Sequence, residues 1–202
     1  MYASKAGKSL RVSKEEGQIV IDTIKALFPK VFKMVEDAAN FASANGYVIL
    51  NKRTNSRAWF PLIISVIKGK LNYRENFRAV SKEQNEARNI RIQGTQADAI
   101  KEATIDLYNY IKKHNIPAVI LKWVHDEIVD KHKKYLDGKS EEWKKWIAAN
   151  PKGLSFTNDS GETTSGLSFP EVKRLLMINT FNRYLDGVTI DVDYSVEPFW
   201  TK

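Results

Sequence analysis

Ile116-Pro117-Ala118-Val119-Ile120-Leu121-Lys122-Trp123-Val124-His125-Asp126-Glu127-Ile128-Val129 is the stretch on which the reading of this chain turns. Two apolar, β-prone runs flank three polar residues, the pattern of a tight hairpin with His125, Asp126 and Glu127 at its tip. Carboxylates placed there are held by strands yet open to solvent, as a divalent metal site requires. Mg²⁺ prefers oxygen ligands and keeps positions for water or substrate phosphates. Taken alone, an Asp-Glu pair is more often the mark of a solvated turn.

Composition narrows the function classes. The 202 residues, 43% of them hydrophobic, suffice for one moderate core or a portion of a larger one. A formal charge of +8, from 32 Lys and Arg against 24 Asp and Glu, suits a polyanionic partner, although charge alone also serves solubility or a membrane surface. No apolar run approaches the roughly 20 residues of a spanning helix, which predicts a soluble chain with no membrane partner. No secretory segment follows Met1-Tyr2-Ala3-Ser4-Lys5. The absence of Cys excludes disulfides and thiolate metal sites and fits a cytosolic protein.

The local signals alternate between helix and strand. Ser13-Lys14-Glu15-Glu16 reads as a capping box opening a helix with Val20, Ile24, Leu27 and Phe28 on one core-facing side. Pro29 breaks it, and a second helix with Val31, Met34, Val35, Ala38, Phe41 and Ala42 as its stripe stops at Asn45-Gly46. Tyr47 to Phe60 reads as a hairpin, whose Lys52, Arg53 and Arg57 are either phosphate contacts or a solvated turn. Leu62 to Lys82 interleaves Lys68, Lys70, Arg74 and Arg78 with Tyr73 and Phe77, a mix that suits nucleic acid or an amphipathic surface. Thr95-Gln96-Ala97-Asp98 marks a helix start, with Ile100, Ala103, Leu107 and Ile111 buried and an end near His114.

Beyond Val129, the charged run Asp130-Lys131-His132-Lys133-Lys134 predicts a short second strand. Ser140 to Ile147 reads as an amphipathic helix ending near Asn150-Pro151, whose aromatic face either packs inward, the favoured reading, or docks onto a partner or DNA. Gly153 to Gly166 reads as a mobile loop. Pro170 opens a helix carrying Leu175, Ile178, Phe181 and Leu185 and stopped at Gly187. Val188 to Val196 then alternates as a half-buried strand with Asp191 and Asp193 facing solvent.

Upstream of the hairpin stands Glu86-Ala87-Arg88-Asn89-Ile90-Arg91-Ile92-Gln93-Gly94-Thr95-Gln96-Ala97-Asp98. Together with Val124-His125-Asp126-Glu127, it resembles the C-terminal part of family A DNA polymerases, the DNA polymerase I and phage replicative type. In that family an Asn-x-x-x-Gln-Gly-Thr-x-x-Asp segment precedes a Val-His-Asp-Glu hairpin, the third catalytic motif. Similar elements run from Ser13 to Trp200. Asp193-Tyr194-Ser195 mimics the first catalytic motif but stands after the hairpin and lacks the residues that should follow it. Glu197-Pro198-Phe199-Trp200 instead matches the family's closing Glu-x-x-Trp.

The resemblance implies an α+β fold in which an antiparallel palm sheet carries the His-Asp-Glu hairpin and packs against helices. Residues 1–84 are then the end of the fingers, and 85–202 the palm with an insertion at about 131–187. Asp126 and Glu127 become metal ligands and catalytic residues, with His125 supporting the primer terminus. Asn89 and Gln93 reach the minor groove, where amide donors check acceptors common to all base pairs. Arg88, Lys52, Arg53 and Arg57 are the further expected DNA contacts.

The first catalytic Asp and the triphosphate-binding Lys of the fingers are not among these residues, and Ala3 to Leu10 resembles the segment just downstream of that Lys. The expected protein is therefore an incomplete polymerase fold, the C-terminal subunit or fragment of a split template-directed DNA polymerase. It would share a two-Mg²⁺ site with an N-terminal subunit and use primer-template DNA and dNTP. The resemblance places it in the cytoplasm of a bacterial host, phage-encoded. The competing class is a non-catalytic DNA-binding or accessory protein on the same palm scaffold; a stand-alone metal nuclease is disfavoured by the lack of further clustered carboxylates and His.

Overall fold

Ser13 closes the capping box its sequence announces: the Glu16 N–H donates to Ser13 Oγ (3.1 Å) and the Ser13 N–H to Glu16 Oε2 (2.9 Å). The carboxylate of Glu16 is held below its ordinary pKa by that backbone hydrogen bond. The computed structural model describes residues 3–185 and 190–198. It divides into two units, Met1–Ile92 and Gln93–Lys202, each with its own core.

The first unit begins with α1 (Ala3–Leu10), α2 (Lys14–Leu27) and α3 (Pro29–Asn45). Pro29 sits in the first turn of α3, where its missing N–H costs nothing. Gly46 then ends α3 at φ 77, and its N–H donates to the Ala42 carbonyl (2.7 Å). The ribbon β1 (Tyr47–Ile49) and β2 (Arg57–Trp59) follows, then α4 (Pro61–Ile67). The core joins Ala38 and Ala42 of α3 to Val48, Phe60, Ile63, Val80 and Ala87. Glu83 accepts from the N–H groups of Leu62 (3.2 Å) and Ile63 (3.0 Å), satisfying donors that the start of α4 leaves open.

The apolar stripe of α2 is not core. Gly17 and Ile21 are its buried residues, while Val20, Ile24, Leu27 and Phe28 lie exposed, Leu27 at 67%. On α3, Ala38 and Ala42 are buried but Val31 and Phe41 are not. A stripe is buried only if another element arrives to cover it, and among the described residues none does.

The break expected at Thr95 does not occur either. A single helix, α5, runs from Phe77 to Lys113. A glycine inside a helix costs about 1 kcal/mol relative to alanine. Gly94 is buried within it. Burial of Ala99, Ile100, Ala103, Leu107 and Ile111 immediately beyond outweighs that cost, at about 1.5–3 kcal/mol for each large side chain.

In the second unit, the hairpin β3 (Ala118–Val124) and β4 (Glu127–His132) packs against that face of α5. A short 3₁₀ turn (Lys134–Leu136) leads to α6 (Glu141–Ala149), capped by Ser140 Oγ, which accepts from the Trp143 N–H (3.1 Å). The aromatic face of α6 turns inward, with the rings of Trp143 and Trp146 5.3 Å apart and Tyr135 5.9 Å from Trp146. The segment read as a mobile loop is a hairpin, β5 (Leu154–Thr157) and β6 (Thr163–Leu167). Its Ser and Thr residues resemble loop composition, but the Thr157 and Thr163 hydroxyls pair across the strands (2.9 Å), and Tyr110 donates to the Ser155 carbonyl (2.7 Å). Burial pushes that phenol up to about 12.

The helix α7 (Phe169–Asn182) follows, with a capping box between Ser168 and Glu171. It buries Val172, Leu176, Met177 and Thr180, a stripe rotated from the expected Leu175, Ile178, Phe181 and Leu185. Residues 190–198 form no ladder, so the expected strand there is absent among the described residues. Gly187, Val188, Thr189, Phe199 and Trp200 lie outside them. The three ribbons are separate two-stranded sheets; no wider palm sheet forms among the described residues. Among the described residues, no helix is long and apolar enough to cross a membrane.

Gly46 also meets Ile64: a Cβ there would lie 2.3 Å from Ile64 Cγ1. Gly46→Ala should lower stability by about 1–2 kcal/mol from the left-handed backbone alone, read from urea denaturation. The exposed apolar side of α2 should make the isolated chain self-associate, seen as a mass that rises with concentration in sedimentation equilibrium.

Candidate functional site

Val124 pairs with Glu127 across the ladder, leaving His125-Asp126 as a two-residue loop. His125 has φ 55 and Asp126 is not in the positive region. Positive φ at the first loop position alone is the type II′ pattern, whose twist suits a hairpin. His is among the few non-glycine residues enriched at positive φ.

The side chains of His125, Asp126 and Glu127 are exposed, and among the described residues they make no hydrogen bond or ion pair. Two adjacent carboxylates with free lone pairs are a donor set that suits a hard cation. They supply one wall only, since no group of three or more His, Asp or Glu among the described residues is placed to hold a metal.

What fixes this tip is the strand behind Glu127. Ile128 and Val129 are buried, and so is the Asp130 side chain, only 3% exposed. Lys173 of α7 donates to Asp130 Oδ1 and to the Ile128 carbonyl (3.3 Å), while His132 Nδ1 meets Asp130 Oδ2 at 3.0 Å. Burial works to raise the Asp130 pKa, but the His132 hydrogen bond and the Lys173 charge outweigh it and hold the carboxyl below its ordinary value. The charged run after Val129 therefore continues the strand: Asp130 and His132 face inward because α7 brings the compensating cation. No signal in the sequence pairs Lys173 with Asp130 across 43 positions.

The outer side of β3 is different. Val119, Leu121 and Trp123 are all more than half exposed, and the ladder shifts register between Ile120 and Lys122. At the far end of α7, Arg183 donates to Glu102 (2.8 Å) and Asp106 (2.7 Å) of α5 and to Asp159 in the β5–β6 turn (2.5 Å). Those acceptors, Asp159 foremost, raise its pKa further.

The other expected site residues fall into separate groups. Asn89 and Gln93 are exposed, four residues apart on α5 and hence on one side of it, and their amides have no partner among the described residues. Arg88 is engaged: its guanidinium forks onto Glu36 (3.0 and 3.1 Å) and donates to Asn85 Oδ1 (2.8 Å). That hydrogen bond holds the Glu36 carboxyl below its usual value. Lys52, Arg53 and Arg57 are exposed on the β1–β2 ribbon, where Arg57 lies over the Tyr47 ring at 4.8 Å. Asp191 is exposed and paired with Arg174, in keeping with a solvent-facing role; its pKa is lowered, chiefly by the Val192 N–H.

Comparison with known proteins agrees with the motif resemblance. Residues 1–152 match DNA polymerase family A. DNA polymerase I of Bacillus caldotenax is 32% identical over 122 residues, 60% of this chain and 13% of that protein. DNA polymerase I of Bacillus subtilis (strain 168) is 30% identical over 122 residues, with the same coverage. The matched part thus spans 13% of the length of these relatives. The POL domain of Pol1 from M. smegmatis, solved in complex with DNA primer-template and dNTP, superposes with a TM-score of 0.60 at 21% identity, covering 88% of this chain and 24% of that one. At that identity the likeness speaks for the fold.

Removing Lys173 leaves a buried carboxylate without its cation, which costs about 3–5 kcal/mol. Lys173→Met should therefore destabilise the second unit by that order in urea at pH 7. The depressed pKa of Asp130 means its contribution is complete above about pH 4 and is lost as pH falls through the folded value. The gap between Lys173→Met and the parent should accordingly shrink on acidification below pH 4, as followed by denaturation series at each pH.

Proposed function

The chain belongs to DNA polymerase family A, and on that premise we propose that it supplies the third-motif carboxylates of a template-directed DNA polymerase whose remaining catalytic groups come from an N-terminal polymerase subunit. The observation that carries the reading is the Asp126-Glu127 pair, unpartnered among the described residues and held at the tip of a hairpin whose second strand is anchored from behind by Lys173.

Asp126 is assigned as the metal-binding carboxylate of this chain, with Glu127 as its secondary ligand and His125 beside the primer terminus. Mg²⁺ held there would activate the primer 3′-hydroxyl and neutralise charge on the leaving pyrophosphate. The work of this chain's residues is to fix where that charge sits. A two-residue loop between laddered strands allows little displacement, and ligands already in place need no reorganisation as charge develops.

Asn89 and Gln93 are assigned to the minor groove of the primer-template duplex. Their exposed amides, unpartnered among the described residues, can donate to purine N3 and pyrimidine O2, which all pairs present alike, so they would test pair geometry and not sequence. Lys52, Arg53 and Arg57 are assigned to the phosphate backbone. Arg88 is better placed to tie α5 to α3 through Glu36 than to reach DNA.

Dependence on a complementing subunit is supported by the donor count: two carboxylates would not by themselves fill the oxygen coordination that Mg²⁺ requires. It is supported too by the uncovered Val119, Leu121 and Trp123 on the same hairpin. A strand ribbon with one apolar side in water is marginal by itself.

The test is primer extension in Mg²⁺ buffer with the complementing N-terminal polymerase subunit. Asp126→Asn should lower the extension rate by at least about a hundredfold, the scale of losing a preorganised electrostatic contact. Equal extension by the mutant eliminates the catalytic assignment, and then salt-sensitive DNA affinity alone would mark an accessory binder. Extension by this chain without the complement would overturn the divided centre.

A further inference from the structure

The pleat of the β1–β2 ribbon sorts its residues onto two faces. Val48 and Ala58 stand opposite each other and turn inward onto the first unit's core. The other face takes the cross-strand pairs Tyr47–Trp59 and Ile49–Arg57. The outer face of such a ribbon is ordinarily polar. This one carries two aromatic rings, and Trp59 is 57% exposed.

The rings are braced. Tyr47 and Trp59 have centroids 5.0 Å apart at 43°, and Phe41 of α3 meets Tyr47 edge-on at 5.5 Å and 85°. The Arg57 guanidinium lies over the Tyr47 ring at 4.8 Å. Tyr47 thus contacts Phe41, Trp59 and Arg57, while Trp59 keeps more than half of its surface in solvent. Two cations of the same ribbon, Arg57 and Lys52, have no carboxylate partner among the described residues.

The geometry points to this face, Trp59 and Tyr47 with Arg57, as a stacking platform for unpaired bases of a single DNA strand. The inference rests on DNA as the partner proposed above and adds which kind of DNA this hairpin takes. A heteroaromatic plane beside uncompensated cations matches a nucleobase joined to a phosphate; stacking needs an open base face and no particular sequence. Duplex bases offer no such face, because each is already stacked on its neighbours. A protein partner fits less well, since it would have to bury the cations beside the rings and pair each one to avoid a desolvation cost.

Arg57 thereby takes two roles. Its guanidinium holds Tyr47 in place and leaves N–H groups free to meet a phosphate on the strand whose bases lie on Trp59. Trp59 is the residue whose loss separates stacking from simple charge attraction.

The experiment is equilibrium binding of the full chain to a fluorescent oligothymidylate, followed by anisotropy across a salt series. It is run in EDTA without primer or nucleotide, so the result is independent of whether Asp126 takes part in catalysis. Trp59→Ala should weaken binding between roughly fivefold and a hundredfold with an unchanged salt slope, and Trp59→Phe should restore most of the loss. Arg57→Gln should reduce the salt slope by about 0.7, one phosphate contact on a single strand. A duplex of equal length should be indifferent to Trp59→Ala.

Parent-like affinity for Trp59→Ala overturns the platform, as does an equal loss for duplex. Failure of Trp59→Phe to recover binding also overturns it, because a plain ring should still stack. A primer-extension failure with these binding results intact would count against the catalytic reading and leave the platform standing.

Discussion

The buried carboxylate of Asp130 is the constraint around which the second unit is arranged. A lone ionised group at that depth would be excluded from a core, so the strand can turn it inward only if a cation is delivered to the same point. Lys173 does this from α7 and takes the Ile128 carbonyl as well, while His132 closes the other oxygen. The register of β4 follows: with Asp130 and His132 facing in, Glu127 falls at the loop and the Asp126-Glu127 pair is left facing water. A one-residue slip would bring Lys131 inward in their place.

This gives the segment between the hairpin and α7 a physical task. The β5–β6 ribbon is fastened to α5 through Tyr110, and Arg183 gathers Glu102 and Asp106 of α5 together with Asp159 of the β5–β6 turn. Phe169 is fully buried beside the His132 ring. Each contact limits how α7 can shift, and α7 carries Lys173. That segment thus reaches the hairpin through a chain of directional contacts ending one residue from Val129.

The first unit follows a different economy. Its core sets the small Ala38, Ala42 and Ala87 against Val48, Phe60, Ile63 and Val80, and its ties are polar: Glu83 onto the start of α4, Gln84 onto Ser43, Arg88 onto Glu36. The larger apolar side chains of α2 are spent outside that core. Such a surface is a place for association and not for folding. The same unit uses its aromatic residues on an exposed ribbon face, braced against one another.

Wherever one local rule governs, the residues by themselves determined the outcome: the Ser13 capping box, the Pro29 break, the Gly46 stop, the Ser140 cap, and a polar tip between two β-prone runs. Each is settled within about four residues, by a hydrogen bond or a φ angle. The two motifs likewise determined the family, because identity at fixed spacing needs no coordinates to be recognised. Tertiary structure decided the rest. Gly94 stays helical because Ile100 and Leu107 are buried beyond it, α2 turns Ile21 inward and leaves Leu27 out, Gly153 to Gly166 becomes a ribbon, and Asp130 is held by a lysine 43 positions away. Those outcomes depend on which surface arrives to cover a residue, and that is a property of packing partners distant in the chain.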